Sequence, residues 1–146
     1  MSDEVVYELK TPFEYAYKGE MRHAKFITLI APTFKQIDSV TPIKQAFMRA
    51  IVEISADTDV KSVESNSESD QTVTGAQALQ VMYNGSGDMV PVMLHAERLF
   101  RSGAALIEGE TKLTAPLLEK ISGLDFERMV GEYIANFIAP FLTSGG

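Results

Sequence analysis

Eight large apolar residues near the end of the chain set the problem that any fold must solve: Phe126, Met129, Val130, Tyr133, Ile134, Phe137, Ile138 and Phe141. Their steps of three and four place them on one side of a helix. A stripe that broad has to be covered, by the rest of the chain or by a partner. Asp125 is read as the N-cap of this helix. Gly123, just before it, is read as the C′ glycine of a short helix opened by Thr114-Ala115-Pro116. The chain is long enough to supply the cover itself. At 146 residues and 45% hydrophobic content it fits one domain with a real core.

The N-terminal part reads as β. Val5-Val6-Tyr7-Glu8-Leu9 and Phe13-Glu14-Tyr15-Ala16-Tyr17 carry β-branched and aromatic residues in partial alternation. Pro12 interrupts the ladder, giving one kinked strand or two short ones. Lys18-Gly19-Glu20 is a turn, and Lys25 to Ile30 is a second strand closed by Pro32. A hairpin of two or three strands is marginal alone and should pack on helices.

Thr41 as N-cap and Pro42 at the first helical position then open a helix. Its stripe is Ile43, Ala46, Phe47, Ala50, Ile51 and Ile54. Residues 56–72 are rich in Asp, Glu and Ser and predict a mobile loop. Thr74–Tyr83 reads as a short helix, stopped by Asn84-Gly85-Ser86-Gly87, and Asp88 caps the next. That one carries Met89, Val92, Met93, Ala96, Phe100 and Gly103 at helical spacing. The expected fold is α+β and mostly α, with an N-terminal β-hairpin packed on a bundle of about five helices. It is one domain over 1–146, with the hairpin at about 4–30 and helices at about 33–55 and 73–140.

Charge and composition exclude several functions. The formal net charge is -7 and the sequence pI is about 4.8. Nucleic acid and anionic membrane surfaces are therefore poor partners, since both require clustered Lys and Arg. No cysteine is present, which removes disulfides, thiolate metal sites and a Cys nucleophile. The acidic start, Met1-Ser2-Asp3-Glu4, shows no signal-peptide pattern. No apolar run reaches membrane-spanning length; in the longest candidate, 129–142, Glu132 and Asn136 interrupt.

Catalytic and metal motifs are weak. His95 and Glu97 form His-x-Glu, which a zinc deaminase pairs with Pro-Cys-x-x-Cys, absent here. Residues two apart also face different sides of a helix. Asn84-Gly85-Ser86-Gly87-Asp88 is glycine-rich, yet Asp88 puts a negative charge where a bound phosphate would sit. Asp57-Thr58-Asp59 begins a calcium-loop spacing that Val60-Lys61 breaks off. His23 has no orienting carboxylate visible in the sequence, and no Gly-x-Ser-x-Gly elbow exists. The chain is expected to be non-enzymatic, with no cofactor and no metal.

The informative residues are apolar and adaptable. Seven methionines and eight phenylalanines occur with no tryptophan. Methionine suits irregular partners, although most of these side chains would serve the core. The candidate partner contacts are Phe126, Met129, Tyr133 and Phe137 on the last helix, with Met89 and Met93 second. This assignment requires part of the last stripe to remain outside the core.

Two stretches carry a family likeness. One is Val6-Tyr7-Glu8-Leu9-Lys10-Thr11-Pro12, then Gly19, then Phe26-Ile27-Thr28-Leu29-Ile30-Ala31-Pro32-Thr33-Phe34. The other is Leu117-Leu118-Glu119-Lys120-Ile121-Ser122-Gly123-Leu124-Asp125-Phe126-Glu127-Arg128-Met129, leading to Ile134-Ala135-Asn136-Phe137-Ile138. Together they resemble the tail assembly chaperones of long-tailed bacteriophages. The long acidic segment between them departs from that pattern. The resemblance implies a chaperone that coats the apolar, helix-prone tape-measure protein, keeps it soluble and recruits the major tail protein. It implies action in the host cell cytoplasm, absence from the mature virion and, in many members, a longer frameshifted form, for which Thr143-Ser144-Gly145-Gly146 would be a suitable junction. A homo-oligomer is compatible with it. Open alternatives are a secretion-type chaperone or regulatory adaptor, a small virion tail component, and an enzyme revealed by loss of turnover on His95→Ala.

Overall fold

The computed structural model describes residues 4–57, 75–85 and 89–139. Two long strands, β1 (Glu4–Tyr17) and β2 (Glu20–Ile30), pair antiparallel around a two-residue turn. Lys18 and Gly19 in that turn have φ of 50° and 82°. A tight hairpin needs positive φ at both central residues, which glycine adopts without a steric penalty. Tyr17 faces Glu20 and Val5 faces Leu29, but the register slips between Glu8 and Phe13. Residues 9–12 bulge out of the ladder there. The bulge accommodates Pro12, which has no amide proton to give. β1 is therefore a single strand whose register shifts across the segment that holds the proline.

A second hairpin extends the sheet. β3 (Ala105–Ile107) pairs with β2, and β4 (Thr111–Lys112) pairs with β3, giving the order β1-β2-β3-β4. This corrects the expectation of a lone N-terminal hairpin followed by helices throughout 73–140. Strands this short carry too few residues to display alternation. Their turn, with Glu108 and Gly109 at φ of 53° and 76°, is the clearer sign.

Helix α1 spans Ile37–Asp57 and is led in by a 3-10 turn at Phe34–Gln36. Gln36 closes the start: its amide donates to the Thr33 carbonyl at 2.9 Å, and its Oε1 accepts from the Thr33 amide at 2.8 Å. Thr41 is therefore not the N-cap, and Pro42 lies inside the helix. The loop expected at 56–72 lies outside the described residues, apart from its first two positions, which end α1.

Helix α2 is Gly75–Gly85 and α3 is Val90–Leu99. A π-helical turn, Phe100–Ala104, follows α3 and ends through Gly103 at φ 118°. Asp88, the expected cap of α3, lies outside the described residues. Helix α4 is a single turn, Ala115–Leu118. Helix α5 runs from Gly123 to Tyr133 and continues as a π-helical turn over Ile134–Ile138. Its N-cap is Ser122, whose Oγ accepts from the Asp125 amide at 3.1 Å. Asp125 is thus three residues inside the cap, and Gly123 opens α5 rather than closing α4.

One core joins sheet and helices. The sheet contributes Leu9, Tyr15, Ala24, Ile27 and Leu29. Ile43, Phe47 and Ala50 of α1 are buried, and Val92, Ala96 and Leu99 of α3 join them. From α5 come Met129, Val130, Tyr133, Ile134, Phe137 and Ile138. The rings of Phe100 and Tyr133 meet edge-on at 5.7 Å, and those of Tyr133 and Phe137 lie tilted to each other at 4.8 Å. The buried Tyr133 hydroxyl donates to the Ile30 carbonyl at 2.9 Å and so ties α5 to the end of β2. Burial also raises its phenol above the ordinary tyrosine value.

Candidate partner-docking groove

Helix α3 is apolar on two sides. Val92, Ala96 and Leu99 face the core, which is the ordinary arrangement for an amphipathic helix. Val90 and Leu94, one turn apart, are instead 64% and 59% exposed. This pair borders an open groove of about 540 Å³.

Four elements build the groove. Tyr83 comes from the end of α2, and Met89, Val90, Met93, Leu94 and Glu97 come from the α3 side. Leu118, Glu119 and Ile121 come from α4 and the turn after it, and Gly123, Phe126 and Glu127 from the start of α5. Met89, Leu118 and Ile121 are buried and form the floor. Met93 and Phe126 are half-buried walls, with Phe126 set edge-on against the buried Phe100 at 5.8 Å. Tyr83, Val90 and Leu94 are exposed along the rim. The volume falls within the range of about 300–1,000 Å³ common for binding pockets.

The charged groups of the groove are all acidic: Glu97, Glu119 and Glu127. Among the described residues, no Lys, Arg or His lines it. The Tyr83 hydroxyl donates to Glu127 Oε1, linking α2 to α5. That bond holds the proton on the phenol, which is pushed up to about 12, with burial adding to the effect.

The position of α5, and so of Phe126, is set by its neighbour Asp125. Asp125 is fully buried. Its carboxylate accepts from the Tyr7 hydroxyl at 2.7 Å and from the Lys10 and Thr11 amides, each at 2.9 Å. Ser122 Oγ lies 3.2 Å away as a further partner. The two amides belong to the β1 bulge, which frees them from the ladder. Burial alone would raise the acid, but the hydrogen bonds from Lys10, Tyr7, Thr11 and Ser122 outweigh it and hold the carboxyl below its ordinary value. Every oxygen of this acid is occupied by the fold. It is a latch between sheet and helix, not a reactive group.

The six sequence-derived contacts therefore divide. Met89, Met93 and Phe126 meet in the groove. Met129, Tyr133 and Phe137 are sealed in the core, at 0%, 2% and 5% exposure. From Met129 to Ile138 the stripe faces the core, while Phe126 at its start opens onto the groove and Phe141 lies outside the described residues. Tyr83, Val90, Leu94, Leu118, Ile121, Glu119 and Glu127 lie outside the sequence-derived contacts, and Glu97 enters the sequence reading only as half of the His-x-Glu pair. The legible signal was Val90 and Leu94, which fall off the core stripe of their own helix.

Of the His-x-Glu pair, Glu97 lines the groove and His95 does not. His95 is half-buried, with its Nδ1 enclosed and without a hydrogen bond among the described residues. His23 does meet a carboxylate, Glu14 across the hairpin at 3.6 Å, and both side chains are well exposed. Among the described residues, no cluster of His, Asp or Glu could hold a metal ion, and no helix is long and apolar enough to cross a membrane. Of the glycine-rich turn, Ser86 to Asp88 lie outside the described residues, as does most of the Asp57-Thr58-Asp59 motif. No protein-family model, curated protein or solved structure matches the chain.

Proposed function

We propose that this chain is a non-enzymatic assembly chaperone of a bacteriophage tail, whose groove between α3 and α5 holds apolar helical segments of the tape-measure protein until the tail is built. The observation that supports the docking half of this reading is the open apolar lining. Met89, Met93 and Phe126 adapt and fill, while Val90 and Leu94 stand exposed beside them. Methionine and phenylalanine shape themselves to varied helices, as helix-in-groove recognition requires. The tail half rests on the two stretches that resemble tail assembly chaperones, and from it follow the major tail protein as second partner and the host cytoplasm as the place of action. The net charge of -7 would keep a complex with so apolar a client dispersed.

The test uses the exposed rim, where a charge leaves the core untouched. Leu94→Asp should retain the native circular dichroism and melting temperature, yet lose co-purification with a co-expressed tape-measure fragment. Loss of about 2 kcal/mol of binding is expected for burying an unpaired carboxylate against apolar surface. Undiminished co-purification by the folded variant would remove the groove from the function.

A further inference from the structure

We propose that the groove selects a cationic amphipathic helix, one whose apolar face is flanked by Lys or Arg. This inference rests on reading the groove as a helix-docking site and adds the chemistry of the segment that enters. Its walls are helices α2, α3 and α5, whose backbone groups are largely committed to their own hydrogen bonds. An extended peptide lying there would bury amides and carbonyls without partners. A helix brings its backbone already satisfied, so the apolar lining favours one.

Charge then decides which helix. Glu97, Glu119 and Glu127 are the charged groups of the lining, with no cation among the described residues there. Among those residues, Glu97 and Glu119 have no ion-pair partner, and Glu127 accepts a hydrogen bond from the neutral Tyr83. Val90, Leu94 and Glu97 follow one another at i, i+4 and i+7, so an apolar strip of about 10 Å ends on a carboxylate. A docked helix with acidic flanks would bring like charges together as water is expelled. One with basic flanks supplies the missing counter-charges and is steered inward by the net charge of -7.

The experiment uses the full chain and three synthetic helical peptides sharing one leucine face, flanked by Lys, by Gln or by Glu. Affinities are measured by fluorescence anisotropy at about 50 mM and about 500 mM salt, where screening differs several-fold in range. The Lys-flanked peptide should bind on the order of ten-fold more tightly than the Glu-flanked one at low salt, with the gap narrowing at high salt. The double variant E97Q/E119Q should narrow it as well, and the uncharged double variant L94Q/V90Q should weaken binding of all three. Equal affinities for the three peptides, each weakened in L94Q/V90Q, would overturn the charge selection and leave the docking groove standing. Binding of the Lys peptide that L94Q/V90Q does not weaken places the contact elsewhere and overturns the inference. No binding by any peptide overturns the docking reading together with it.

Discussion

Asp125 shows what one side chain can hold together. It caps nothing, yet it receives the Tyr7 hydroxyl and the Lys10 and Thr11 amides in the interior. Asparagine at this position would offer one acceptor oxygen and turn an amide group toward a donor. Asp125→Asn should therefore cost about 3 kcal/mol, read from the urea midpoint. The same carboxylate makes stability depend on pH. Its acid is depressed in the folded state, so its contribution is complete above the unfolded value near about 4 and is lost as the pH falls through the folded value. The native chain should lose stability below pH about 4, and Asp125→Asn should lose less over the same window. Equal acid sensitivity of the two proteins would assign that loss to other groups. Nothing in the sequence marked this role. Ser122 and Asp125 are both capping residues at capping distance, and the partners that separate their tasks lie more than a hundred positions away.

Elements were legible where periodicity was long and hidden where geometry was local. The stripes of α1, α3 and α5 run for several turns, so Ile43, Phe47, Val92 and Ala96 could be placed on inward faces from spacing alone, whereas Met129 and Tyr133, expected as partner contacts, lie in the core because spacing does not say what covers a stripe. The start of α1 could not, because Gln36 closes it through a side-chain bond upstream of the more conspicuous Thr41-Pro42. β3 and β4 are too short to show a period. The groove was half legible: Met89, Met93 and Phe126 were identified, but the contributions of α2 and α4 depend on how helices cross. One crossing is tight. A Cβ on Gly131 of α5 would lie 2.5 Å from the Gly75 carbonyl oxygen at the start of α2 and 2.7 Å from Leu79 Cγ. Alanine is the better helix former by about 1 kcal/mol, but a backbone clash this close cannot be relieved by a rotamer change. Gly131→Ala should lower stability by about 1–3 kcal/mol in chemical denaturation. A rise in stability would show that α2 can move aside, and Tyr83 with it.

At the level of the molecule, a formal net charge of -7 goes with an apolar opening whose charged lining residues are glutamates. The arrangement fits a protein that remains dispersed while engaging something greasy, since like-charged complexes repel one another. The opening is also assembled from distant parts of the chain. Its α5 wall is seated by an acid that takes its donors from β1, across sequence separations of 114 and 115 residues. Contacts that distant close late in folding, because loop entropy must be overcome before they contribute. The groove is therefore complete only once β1 and α5 have met. A version ending at Ser122 should stay unfolded by circular dichroism and fail to bind the leucine-faced peptides. The handclasp between β1 and α5 thus ties the shape of the opening to the closure of the whole sheet-and-helix core.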